Sequence, residues 1–421
     1  MNKDIYEIKK LRNRFLSYYY DEDYEKAQQT GERLISTYRA KKLVTPEEFG
    51  KDLFNLACAY DEGGNYEKAV SVYLKAADEI ENNRGKCLKL SDVYNNIGIA
   101  HDKLHQHDTA LAYFKKCYNL RSALLKETDK DLIDACYNLA SEYKNLHRFT
   151  DAAQYYAKAL NSRSKKDIAY GDNLFNLGMC YIETKDFALG GEYMKRAMEV
   201  YRQNSKGFEE YINALGFYSA FLYKSRKYEE AVENYNVLID AIKQNYGTDQ
   251  HNYANALSQL ADCYTKMGSP EKGITLKQKS INIIKKSMGT EHIIYATNLA
   301  DLGHMYLNLN EYAKAAQLYS EALGIRSKIL GVNNKECIDN INTLADIYMS
   351  MELYNKAEDI INYALNNLTV NKRVCGETVL HLVKKYMDIQ DGEGLRRAYS
   401  LFNKIYPEKT FDEMLDIAED F

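Results

Sequence analysis

Residues 53–76 read LFNLACAYDEGGNYEKAVSVYLKA. Leu53, Leu56, Ala57 and Tyr60 fall at i, i+3, i+4 and i+7, one face of a helix. Ala69, Tyr73 and Ala76 fall at i, i+4 and i+7, one face of a second helix. Between them DEGGNY (61–66) is a turn, in which Gly63 and Gly64 are free to take positive φ. Small Ala57 and Ala69 let the two helices approach, and Tyr60 and Tyr73 fill the space beside them.

The same phrase recurs along the chain. CYNLASEY (136–143), LFNLGMCY (174–181) and TLADIY (343–348) repeat its first half. Nine residues after the closing aromatic slot comes a small residue: Ala27, Ala69, Ala110, Ala152, Gly190, Ala231, Gly273, Ala315 and Ala357. The steps are 42, 41, 42, 38, 41, 42, 42 and 42 residues. Ala398, a further 41 on, marks a degenerate tenth unit. A helix pair of this kind cannot bury its apolar face alone, so each pair stacks on its neighbours.

The seven places of residues 53–76 resemble the tetratricopeptide repeat: a large residue, Leu-Gly/Ala, Tyr, Ala, an aromatic and Ala on two antiparallel helices. Cys136, Leu139, Ala140, Tyr143, Ala152, Tyr156 and Ala159 fill them again, and Leu174, Leu177, Gly178, Tyr181, Gly190, Met194 and Ala197 follow. The likeness covers about residues 8 to 370. The usual Pro at the repeat's end is missing, and the period of ~42 exceeds the usual ~34; the longer period, with linkers such as LGVNNKECIDNINTLADIY, is similar to the kinesin-light-chain style of repeat. The resemblance implies an all-α, right-handed superhelical solenoid of about nine to ten antiparallel helix pairs. Residues 1–370 are expected to form the array. Residues 371–421, where the pattern lapses, are expected to form a C-terminal helical cap ending in DEMLDIAEDF.

Composition agrees. The 421 residues hold only 3 Pro, no Trp and 38 Tyr. So few prolines suit a mostly helical chain, and the recurrent packing tyrosines explain the third number. Fifty-six basic and 60 acidic residues give a net charge of −4, so no global field favours nucleic acid or an anionic membrane. No run approaches the ~18 apolar residues of a membrane span, and neither a secretory leader nor a DNA-reading helix-turn-helix ahead of the first repeat is expected. Abundant Lys, Asn, Ile and Tyr without Trp suggest a low-GC bacterial genome. The eight scattered cysteines contain no CxxC pair, which predicts reduced thiols in a cytoplasm.

No catalytic motif is present: no phosphate loop, no HExxH and no GxSxG. His101, His105 and His107 cluster, with His147 at the next repeat's equivalent of His105. The expectation is one packing and several solvated histidines, with no metal and no cofactor. Cys117 and Cys136 occupy apolar packing slots, so neither is expected to be a nucleophile.

The candidate site is the concave face. One position of the first helices carries Asn13, Asn55, Asn96, Asn138 and Asn176, followed by Tyr218, Gln259, Asp301 and Thr343. Such carboxamides can satisfy the backbone of an extended peptide. Phe175, Met179, Ile182, Phe217 and Phe221 add an apolar patch in the middle of the array. Asp92, Asp134, Asp172 and Asp339 favour a basic or amino-terminal ligand group. The two-carboxylate clamp of chaperone-binding members needs Lys where this chain has Phe54, Asn95, Tyr137 and Phe175, so chaperone tails are disfavoured. The expected function is a scaffold or adaptor that binds a protein or peptide segment without catalysis, at no nucleic acid or membrane. The alternative is a regulatory receptor for a short signalling peptide that modulates a partner protein.

Overall fold

The computed structural model describes residues 3–41, 45–160, 165, 167–249, 251–368 and 372–420. Among them there is no strand. The chain divides into two compact units, Met1–Ala214 and Leu215–Phe421.

The first unit holds five helix pairs: α1 (Lys3–Tyr20) with α2 (Tyr24–Lys41), α3 (Pro46–Glu62) with α4 (Tyr66–Arg84), α5 (Leu88–Lys103) with α6 (His107–Leu124), α7 (Lys130–Asn145) with α8 (Phe149–Leu160), and α9 (Ile168–Glu183) with α10 (Phe187–Gln203). The division falls within α11 (Phe208–Lys224). The second unit continues with α12 (Tyr228–Tyr246), α13 (His251–Lys266) and α14 (Pro270–Met288), α15 (Ile293–Asn308) and α16 (Tyr312–Leu330), and α17 (Lys335–Ser350) and α18 (Tyr354–Asn367). A 3₁₀ turn at Lys372–Cys375 leads to α19 (Gly376–Asp388), α20 (Gly392–Asn403) and α21 (Phe411–Asp420).

Each pair turns in the same way. The left-handed residue of the turn is Glu22, Gly64, His105, His147, Lys185, Arg226, Gly268, Asn310, Glu352 or Gln390, with φ between 55° and 78°. In the second pair the Gly64 and Asn65 amides donate to Asp61 and Tyr60 carbonyls at 2.9 and 2.8 Å, which satisfies the last carbonyls of α3. In the fourth pair His147 and Arg148 make the same two bonds to Lys144 and Tyr143. The tenth turn, at Gln390, belongs to α19 and α20, and Ala398 is wholly buried. The helix-pair backbone therefore persists into residues 371–421, where the sequence pattern fades.

The small residues do what their spacing predicts. All nine, from Ala27 to Ala357, are buried. Gly178 and Gly190 mark one close approach: a Cβ on Gly178 would lie 2.9 Å from the Gly190 carbonyl oxygen. Four residues after each small residue from Ala69 onward comes a slot that holds Tyr73, Phe114, Tyr156 and Met194 in the first unit, all buried. In the second unit it holds Tyr235, Lys277, Tyr319 and Ile361, also buried.

Candidate functional site

The odd-numbered helices carry the candidate positions. In the first unit Asn55 is half-buried and lines a cavity of about 220 Å³ with Phe54, Ile80, Arg84 and Asp92. Asn96 Nδ2 lies 3.3 Å from the Tyr73 hydroxyl. Asn138 Nδ2 donates to Asn95 Oδ1 at 2.8 Å, from α7 to α5. Lys144 donates to Asn176 Oδ1 at 2.7 Å, and Asn176 Nδ2 returns to the Asp172 carbonyl at 2.9 Å. An Asn side chain has two donor and two acceptor places. Three of the four amides thus spend part of that capacity on neighbouring helices, and the row is also an inter-repeat staple. Burial holds the Lys144 ammonium below its usual range.

The apolar candidates divide between the units. Phe175, Met179 and Ile182 lie in the first and are half-buried; Ile182 packs over Gly190, with Cγ1 2.6 Å from where a Cβ would stand. In the second unit Phe217 is 55% exposed, and Phe221 is half-buried with its ring 6.1 Å from that of Tyr218. Tyr218 itself is buried at 3%. The row that begins at Asn13 therefore passes through Phe217 and not Tyr218: one residue of register separates the exposed side from the packed side of α11. The aspartate column is partly engaged within the protein. Arg121 binds Asp92 at 2.7 Å and the Tyr201 hydroxyl donates to Asp172 at 2.8 Å, whereas Asp339 is exposed.

A second cavity, of about 410 Å³, lies wholly in the second unit. Asp262, Asp301, His304, Asp339, Asn340 and Thr343 line it, with Arg326 and Tyr319. Next to it Lys277 is entirely buried, with its ammonium 2.7 Å from Ser258 Oγ, 3.0 Å from Asp262 and 3.3 Å from Asp301. Burial pushes the Asp262 carboxyl up, against the opposing pull of Lys277. Arg326, also buried, donates to Asn340 Oδ1 at 2.7 Å, which fixes the orientation of that amide. Asn340 is 4% exposed, and its Nδ2 has no hydrogen-bond partner among the described residues. Lys277, Ser258 and Asn340 were not legible as site residues. The available signal was Lys277, a charged residue in the slot of Tyr73 and Tyr156.

The histidines separate. His101 stacks on Tyr113 and pairs with Gln106 at 2.6 Å. His105 faces His107, while His147 faces Phe149 in its own turn. His107 Nδ1 lies 2.8 Å from Glu142 Oε1 and 3.4 Å from Asp102 Oδ1. Glu142 is buried, and desolvation pushes its carboxyl up, with Asp102 adding to the rise. Burial pushes the Cys117 and Cys136 thiols up to about 11, far from a nucleophile's range. No helix among the described residues is long and apolar enough to cross a membrane.

Comparison with known proteins agrees with this geometry. Models described as tetratricopeptide repeat match residues 53–88, 89–165, 171–204 and 252–328, together more than half of the chain. The chain is 26% identical over 152 residues to response regulator aspartate phosphatase E of Bacillus subtilis (strain 168); that stretch is 33% of this chain and 38% of the other. The chain thus spans well under half the length of that curated relative. Among solved structures, a signal transduction ATPase with numerous domains and a tetratricopeptide repeat sensor, from Pyrococcus horikoshii, superposes with a TM-score of 0.51 at 16% identity, over 83% of this chain and 54% of that one. A tetratricopeptide repeat protein from Parabacteroides merdae gives 0.46 at 16% identity, over 71% of this chain and 98% of that one. With its repeated turns, its buried small residues and the family-model matches over more than half of its length, the chain belongs to the tetratricopeptide repeat family.

Proposed function

We propose that this protein is a non-catalytic scaffold that holds an extended segment of a protein partner against its odd-numbered helices. The observation that carries the reading is Asn340 Nδ2, a buried donor without a partner that lines a polar cavity beside Asp301, His304 and Thr343. Leaving such a donor unmade costs about 1–3 kcal/mol, which a peptide carbonyl would recover. In the first unit the unspent capacity of Asn55, Asn96, Asn138 and Asn176 serves the same purpose. Phe175, Met179 and Ile182 there, and Phe217 and Phe221 in the second unit, supply apolar anchors. Residues 371–421 cap the array. The eight free thiols fit a reducing cytoplasm.

The test is a selection of displayed random peptides on the full chain, followed by calorimetry of the selected peptides on variants. Met179→Glu, Phe217→Glu and Asn340→Ala should each weaken binding with helicity intact. Selection of nothing above background, or affinities that all three variants leave unmoved, overturns the reading.

A second reading makes the bound segment a short signal that alters a partner's activity. The likeness to a response regulator phosphatase favours it. A fall in the radius of gyration on peptide addition, measured by small-angle scattering, supports the receptor, and an unchanged radius supports the scaffold.

A further inference from the structure

We propose that Asp102, His107 and Glu142 form a binding site for one divalent transition-metal ion of the zinc type. The three come from three helices: Asp102 from the last turn of α5, His107 from the first residue of α6, and Glu142 from α7. One ligand atom from each lies within 4.8 Å of the other two. His107 Nδ1 is 2.8 Å from Glu142 and 3.4 Å from Asp102. Donors held tetrahedrally at ~2.1 Å from zinc stand roughly 3.4 Å apart. The Asp102 separation matches that spacing, and the Glu142 one lies on its short side.

The other repeats show that packing does not require this set. The slot of Glu142 holds Ala59, Ala100, Cys180 and Cys263 elsewhere, all buried. The slot of His107 holds Tyr66, Phe149, Tyr228 and Tyr312, each at the start of its helix. Two departures, from different helices, meet at one point. An ion pair would account for His107 and one carboxylate. The second carboxylate approaches the same ring nitrogen, and one nitrogen cannot bond both at full strength. A divalent ion balances both.

The donor set chooses the ion. One imidazole and two carboxylates suit zinc and its transition-metal neighbours; calcium takes six to eight oxygens and magnesium keeps a strict octahedron of oxygens. Three protein ligands leave a position for water. The Asn145 side chain, 3.4 Å from Asp102 Oδ1, supports that carboxylate from outside. The bound ion would tie the α5–α6 turn to α7 and so fix the third repeat to the fourth.

The experiment uses the full chain, stripped with EDTA and titrated with zinc alone against a chromophoric chelator. One zinc per chain and a raised melting midpoint are expected. Glu142→Ala and His107→Tyr install residues that other repeats carry, so both should fold. Each should weaken zinc by more than ~100-fold, beyond the ~10–100-fold of an outer-shell loss, and abolish the midpoint shift. Glu142→Gln serves if Glu142→Ala loses its helicity. Because Glu142→Ala removes no histidine or cysteine, zinc binding that survives it belongs to surface groups and overturns the proposal. Absence of binding, or equal binding of magnesium, also overturns it.

Discussion

Tyr73 in the first unit and Lys277 in the second occupy the same slot of the repeat, and both are wholly buried. Their neighbours also correspond. Tyr73 meets Cys58, Asn96 and the Asp61 carboxylate, each at a 3.3 Å contact with its hydroxyl. Lys277 meets Asp262 and Asp301, which stand two and five residues before their aromatic landmarks just as Cys58 and Asn96 do. The neutral triad of Tyr73, Cys58 and Asn96, with Asp61 accepting from the Tyr73 hydroxyl at its edge, is thus an ionic triad in the other unit, on the same repeat. The repeat dictates where three side chains meet; it does not dictate their charge. Burial costs the neutral set a few hydrogen-bonding constraints, but it makes the ionic set all-or-none, since each charge depends on the others.

The largest effect comes from stranding the ammonium. Asp262→Ala with Asp301→Ala leaves Lys277 buried with only Ser258 and should cost about 3–5 kcal/mol in urea unfolding. The matching change in the first unit, Cys58→Ala with Asn96→Ala, removes weak neutral bonds, leaves the Tyr73 hydroxyl its bond to Asp61, and should cost about 1–2 kcal/mol. Equal losses in the two units would erase the distinction.

A second test concerns the neutral triad. Burial pushes the Cys58 thiol up to about 11. At pH 8 its thiolate fraction, and so its rate of alkylation by iodoacetamide, should be roughly 100-fold or more below that of an ordinary cysteine with a pKa of ~8.5. Peptide mapping of labelled protein reads this directly. Rapid labelling of Cys58 would mean that the thiol is neither desolvated nor held up by the nearby Asp61 and Glu62 carboxylates.

A third change carries the neutral triad into the second unit: Lys277→Tyr with Asp262→Cys and Asp301→Asn. Buried ion clusters replaced by well-packed neutral groups often gain stability. A gain of about 1–2 kcal/mol is expected, at the low end of that range, because Asp301 is half exposed. A loss would show that Ser258 and Asn298, bonded to each other at 3.0 Å, have adapted the site to a cation.

These contrasts explain what could be read from sequence. The repeat was legible because small residues at fixed steps have no substitute where helices nearly touch, as at Gly178 and Gly190. The groove rows were legible in outline, but Tyr218 and Phe217 show the limit: where no Asn marks the row, a one-residue slip exchanges a buried and an exposed aromatic. The Asn row read as free amides, whereas Asn138 reaches Asn95 on another helix, a contact about 40 residues away in sequence that periodicity does not report. Glu142 and Lys277 were hidden for the same reason. A charged residue in an apolar slot looks like a solvated surface residue until its partners, from other repeats, are placed beside it.

The smallest effect tests the same lesson on the backbone. Among the described residues ten turns within helix pairs impose a left-handed residue, yet only Gly64 and Gly268 of these are glycine. The other eight, Lys185 and Arg226 among them, hold an L-residue in a conformation that disfavours Cβ. Lys185→Gly in the first unit and Arg226→Gly in the second should each gain about 0.5–1 kcal/mol, the relief of that strain less the extra freedom glycine has when unfolded. Both side chains are exposed, so no lost contact offsets the gain. Gly64→Ala and Gly268→Ala should lose a similar amount, because a Cβ there meets open space and only the backbone conformation objects. The four measurements belong together. If glycine helps at Lys185 and Arg226 alike, the turn is set by the repeat in both units, and the difference between the units is confined to side-chain charge. If only one of them responds, the turns also differ, and the Tyr73–Lys277 contrast would extend from chemistry to backbone.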